Sequence, residues 1–159
     1  MQSIGMPKGV TVLEYPGLKT TMSSDKEHVN ACETFSWDID YNHDGTAANS
    51  ITTLTVRLPN TVSLAAETGA ISHSWTQRAY LEGSLPSAFQ PIETNSNVVV
   101  NEVNGETVIN ININGYLGYD LQPGRGGTLR VKVKANCDTV SDTLLIGTVV
   151  GYYENAMNF

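Results

Sequence analysis

Lysine and arginine are scarce in this 159-residue chain, nine together against sixteen acidic residues, for a net charge of -7. An acidic surface repels phosphate backbones and anionic headgroups, which argues against nucleic acid and against membrane insertion as partners. No run approaches the roughly eighteen apolar residues of a membrane-spanning helix. The first nine residues also lack the apolar centre of a secretory leader, so either the chain is made without one, as a phage structural protein would be, or a leader has been removed. Cysteine is limited to Cys32 and Cys137, and neither has a Cys or His at metal-ligand spacing, which disfavours a zinc site. The three histidines, His28, His43 and His73, are scattered. No Gly-x-Ser-x-Gly frames a nucleophile, and nothing singles out two carboxylates as an acid–base pair. Glycine-rich Gly124-Arg125-Gly126-Gly127 opens no helix, so it reads as a tight turn and not a phosphate cradle. No segment has convincing helical periodicity.

What is present is strand alternation. Side chains on a strand point alternately to its two faces, so a half-buried strand reads apolar, polar, apolar. Leu129, Val131 and Val133 alternate in this way with Arg130, Lys132 and Lys134, directly after Leu121-Gln122-Pro123-Gly124. The cations there could form an anion-binding patch; a solvated strand face is the simpler account. Residues 33–41 place Phe35, Trp37, Ile39 and Tyr41 on one face and run into the turn Asn42-His43-Asp44-Gly45. Residues 50–58 place Leu54, Val56 and Leu58 inward before Pro59. Residues 98–100 and 106–114 form a hairpin around Asn104-Gly105, with Ile109, Ile111 and Ile113 on one face. Short strands are expected at 71–75 and 78–81, a long connection over 83–97, and a central strand over 143–150. The polar stretch 19–30 reads as a loop or a short helical turn. Residues 10–15 form a first strand that pairs either within its own sheet or, as an assembly arm carried by residues 1–32, with a neighbouring subunit. The expectation is one all-β domain, an immunoglobulin-like antiparallel β-sandwich of seven or more strands spanning 1–159.

Three sets of residues are candidates for a site. Cys32 and Cys137 both stand at strand ends that could meet; a disulfide there would close a 105-residue separation, and two free thiols are the alternative. Asp40-x-Asn42-x-Asp44-Gly45, with Asp38 just before it, matches the opening of a calcium loop, in which alternate oxygen ligands converge on one cation. The position where such a loop needs its closing carboxylate is Ile51, however, and a hairpin turn after the strand explains the same residues. Calcium is the one cofactor the sequence raises. Trp75, Tyr80, Tyr116 and Tyr119 could form an aromatic platform for a glycan, or could be packing residues.

Several stretches together resemble the "conserved repeat" immunoglobulin-like domains of bacterial and archaeal surface proteins (the DUF11 type). They are the run from Trp37 to Ala47, Leu54-Thr55-Val56-Arg57-Leu58-Pro59, Leu121-Gln122-Pro123-Gly124, and Thr128-Leu129-Arg130-Val131-Lys132-Val133. The resemblance spans roughly residues 33–153. It implies a spacer or adhesive module on a cell surface, extracellular filament or virion, self-associating or bound to another surface protein, with no enzymatic activity. A carbohydrate-binding module is the alternative.

Overall fold

A computed structural model describes residues 11–12, 18–45, 47–76, 89–118 and 120–155. The backbone is a two-sheet sandwich. Its strands are β1 (Thr11–Val12), β2 (Lys19–Ser24), β3 (Thr34–Asn42), β4 (Asn49–Leu58), β5 (Val62–Leu64), β6 (Ile71–Thr76), β7 (Gln90–Pro91), β8 (Val98–Val103), β9 (Glu106–Asn112), β10 (Gly126–Ala135) and β11 (Thr148–Asn155). One sheet has the order β1-β11-β4-β9-β8; the other runs β2-β3-β10-β6-β7, with β5 also pairing β10. The sequence-derived β-sandwich is therefore the observed architecture. All pairings are antiparallel except β1 against β11, which run parallel with Thr11 opposite Thr148. The described part of the first strand thus pairs inside its own domain.

The alternation seen in the sequence is the alternation that builds the core. Trp37, Ile39, Leu54, Val56, Leu58, Leu129, Val131 and Val133 are all fully buried, as are Ile109 and Ile113. Phe35 meets Trp37 edge-on, with ring centroids 5.0 Å apart, so two large aromatic side chains of the core interlock. Burying apolar side chains of this size contributes about 1.5–3 kcal/mol each. The hairpin between β8 and β9 turns on Asn104 and Gly105, both at positive φ, as a two-residue turn with the twist of its flanking strands requires.

Four expectations need correction. The stretch from Lys19 to Ser24 is a strand; Thr20 and Met22 point inward, and Lys19, Thr21 and Ser23 outward. Its alternation is genuine, but a threonine stands where an apolar residue was looked for. The second arm of the hairpin does not continue to 114. Asn112 caps a single helical turn, α1 (Ile113–Leu117), by accepting from the Gly115 N–H. The last strand begins at Thr148 rather than at 143, because 141–147 form a loop in which Leu145 is buried while Leu144 and Ile146 are exposed. The turn at 42–45 does not close a hairpin, since β3 and β4 belong to opposite sheets. The proposed strand at 78–81 lies outside the described residues.

Candidate functional site

The outer face of β10 is where the cations gather, and the structure brings acids from β3 and from a neighbouring loop up to them. Antiparallel pairing places Arg130 opposite Asp38 on β3. The guanidinium donates from Nε to Oδ1 at 2.8 Å and from Nη2 to Oδ2 at 3.0 Å, a two-pronged match of fork to carboxylate. Phe89 lies 3.9 Å from the same guanidinium, face-on. Lys132 reaches Glu67 at 3.1 Å, and Lys26 reaches Glu33 at 2.6 Å. The hydrogen bond it donates to Asp38 holds the Arg130 guanidinium even more firmly protonated than usual, and Lys26 holds the Glu33 carboxyl pKa below its ordinary value. Two cations of the stripe, Arg130 and Lys132, are thus each matched by a carboxylate, as on a solvated strand face.

This arrangement also answers the calcium question. Asp38, Asp40 and Asn42 stand at alternate positions of an extended strand, which spaces them along the sheet instead of curling them around one point. Asp38 is engaged by Arg130, and Asp40 accepts from the Thr128 hydroxyl at 2.5 Å. Asp44 lies past the end of the strand, where His43 organises the turn. The buried His43 ring accepts the Gly45 N–H at Nδ1, so its proton sits on Nε2 and is donated to the Ala47 carbonyl. Among the described residues no three His, Cys, Asp or Glu side chains form a group that could hold a metal ion. The sequence pattern Asp-x-Asn-x-Asp-Gly is here a strand followed by a histidine-pinned turn.

Cys32 and Cys137 form a disulfide, with their Cα atoms 4.3 Å apart. They sit just beyond the paired ends of β3 and β10, where the Cys32 N–H still bonds the Ala135 carbonyl and the Ala135 N–H bonds the Glu33 carbonyl. The bond extends the ladder by a covalent rung. Beside it opens a cleft of about 260 Å³ lined by Val29, Ala135, Leu145 and the loop 139–143. The Thr139 and Thr143 hydroxyls there donate to the carbonyls of Asn136 and Val140, three residues back. Those hydroxyls are engaged in turn formation.

A cluster that sequence reasoning did not assemble lies between the sheets. His73 on β6 is 2% exposed, its Nε2 is 2.7 Å from the Tyr41 hydroxyl, and the two rings stack. Tyr116 of α1 meets the imidazole edge-on at 5.0 Å. Gly127 makes the room: a Cβ there would lie 2.7 Å from the Ser74 carbonyl oxygen, 2.8 Å from His73 Nε2 and 3.0 Å from the Tyr41 hydroxyl. Burial pushes the His73 pKa down to about 4, so the ring is neutral across the physiological range. The only sequence hint was the alternation of Ile71 and His73 on one face of a strand. Of the four aromatics proposed as a glycan platform, Tyr80 and Tyr119 lie outside the described residues, as does the side chain of Trp75. Tyr116 is half-buried against His73, which is packing and not a platform.

No protein-family model matches the chain, and no curated protein matches it in sequence. Solved structures do match its fold. The collagen-binding domain of a Staphylococcus aureus adhesin superposes with a TM-score of 0.51 at 10% identity, over 88% of this chain and 88% of that one. The pilus backbone protein of Streptococcus pneumoniae superposes with a TM-score of 0.51 at 10% identity, over 85% of this chain and 31% of that one. The chain therefore spans less than a third of the pneumococcal protein. At these identities the likeness is one of fold, the β-sandwich of surface-protein domains.

Proposed function

We propose that this chain is a non-enzymatic structural or adhesive module displayed outside the cell, on a surface, filament or virion. The observation that supports this best is the extent of the likeness to the adhesin domain: 88% of each chain is covered, not a fragment of either. The Cys32–Cys137 bond points the same way, because such crosslinks persist in oxidising compartments. The chemistry of the surface agrees with it. Arg130, Lys132 and Lys26 are paired with carboxylates of the chain itself, and the cleft hydroxyls with backbone carbonyls. The partners of such a module are copies of itself or another surface protein.

Immunogold labelling of intact producing cells or particles with antibody raised to the chain tests the placement. Label on the outer surface or along filaments is expected, and label confined to the cell interior would overturn the reading. Immobilised collagen separates the two roles: saturable binding makes the module adhesive, and surface label without collagen binding makes it structural.

A further inference from the structure

One edge strand of the five-stranded sheet is β8, and among the described residues its backbone shows which groups are turned outward. The Val98 N–H and C=O both bond Asn95, so they point away from β9, whereas the Asn97 carbonyl accepts from the Asn112 N–H and points toward it. Orientation alternates along an antiparallel strand. Residues 99, 101 and 103 therefore bond β9, and Val100 and Glu102 direct their N–H and C=O groups outward. Asn95 closes the edge at Val98; among the described residues no strand lies beyond β8. The strand carries no lysine and no proline, the residues that usually blunt such an edge.

The side chains of this edge are self-complementary. Val99 and Val103 are exposed on the outer face, with Asn101 between them, so the face reads Val, Asn, Val from either direction. Val100 is packed against the core, and Glu102, on that same side, is exposed. We infer that β8 pairs antiparallel with β8 of a second copy about a two-fold axis at Asn101, joining two five-stranded sheets into one of ten. In this register Val100 stands opposite the partner's Glu102 and Glu102 opposite the partner's Val100. Each of these pairs exchanges two hydrogen bonds, so the four outward groups of each copy are all satisfied. Val99 faces the partner's Val103 across the closely spaced, non-hydrogen-bonded positions, and the two Asn101 amides meet at the axis. A register centred on Glu102 would set two carboxylates face to face. One centred on Val100 would require Val98, whose groups Asn95 already holds. An isologous pairing of this kind closes after two copies. The inference stands on the edge geometry alone and is independent of where the protein is displayed.

The test is sedimentation of the full chain together with two variants. The wild type is expected to be a dimer that dissociates on dilution. Val100→Pro removes an N–H that no intramolecular strand uses, so it should leave the far-ultraviolet circular dichroism unchanged and the protein monomeric. Asn101→Cys should form an interchain disulfide under air, since Cα atoms at a non-hydrogen-bonded pair stand about 4.5 Å apart; Glu102→Cys should not. A wild type that stays monomeric up to about 1 mM overturns the inference. So does a folded Val100→Pro variant that remains dimeric, or crosslinking at 102 in preference to 101.

Discussion

His73 gives the most quantitative test of the packing between the sheets. In the folded protein its pKa is pushed down to about 4 by burial, against an ordinary value of 6.5. The folded state therefore resists protonation, while the unfolded chain takes up a proton as soon as pH falls below about 6.5. Stability is unaffected by this group above that value, declines as pH falls from about 6.5 to about 4, and levels off for this group below that. Linkage between these two pKa values gives a loss of about 2.5 kcal/mol between pH 7.5 and pH 4.5. Other groups of the chain also take up protons near the lower limit, so a reference is needed. His73→Gln can keep a hydrogen bond to the Tyr41 hydroxyl but does not titrate. Urea unfolding of both proteins at pH 7.5, 6.0 and 4.5 isolates the histidine: the wild type should lose about 2.5 kcal/mol more than the variant across the range. Parallel pH dependences would refute the argument, as would an NMR titration placing the folded-state pKa of His73 near 6.5.

Further consequences can be measured independently. Replacing both Cys32 and Cys137 with serine should lower stability by about 4–5 kcal/mol, read by denaturant unfolding, because the bond closes a 105-residue separation. Gly127→Ala should destabilise by about 1–3 kcal/mol and disturb the Tyr41–His73 hydrogen bond, visible as a shifted His73 resonance, since the added methyl meets backbone as well as both side chains. A double-mutant cycle on Arg130→Met and Asp38→Asn should return a coupling of only about 0.5–1 kcal/mol, smaller still in high salt, because the pair is partly open to solvent. Millimolar calcium should leave the melting temperature unchanged, given that Arg130 already occupies Asp38; a rise would revive a cation site.

The fold was legible in the sequence wherever a strand has one apolar and one polar face. Phe35 to Tyr41, Leu54 to Leu58 and Leu129 to Val133 carry that signal in residues of unambiguous polarity, and the structure follows them. It was hidden where the inward residue was itself polar, as with Thr20 in β2; β6 was read as a strand, but the burial of His73 within it was not. Hydrophobicity alone cannot see a side chain whose burial depends on a partner from a distant strand. The apolar run 143–147 misled in the opposite sense, because only Leu145 of its leucines and isoleucines turns inward. Of the candidate sites, the disulfide was readable as one of two alternatives because two strand ends could meet. The Asp40-x-Asn42-x-Asp44 pattern left a cation loop and a plain turn side by side, because spacing along a sequence does not say whether the backbone is curled or extended. The Tyr41–His73–Tyr116 cluster joins three elements far apart in the chain, and no local pattern encodes it.

The parallel pairing of β1 with β11 has a mechanical meaning. Parallel neighbours run in one direction, so a pull applied ahead of Thr11 and beyond Asn155 acts at opposite ends of that pair. Such a load slides the two strands past each other and strains their hydrogen bonds together, instead of peeling them apart one by one. On the opposite sheet, the Cys32–Cys137 rung ties β3 to β10 with a bond that ordinary tension does not break. A traction that did strip β1 away would leave the ends of those two strands tied to each other.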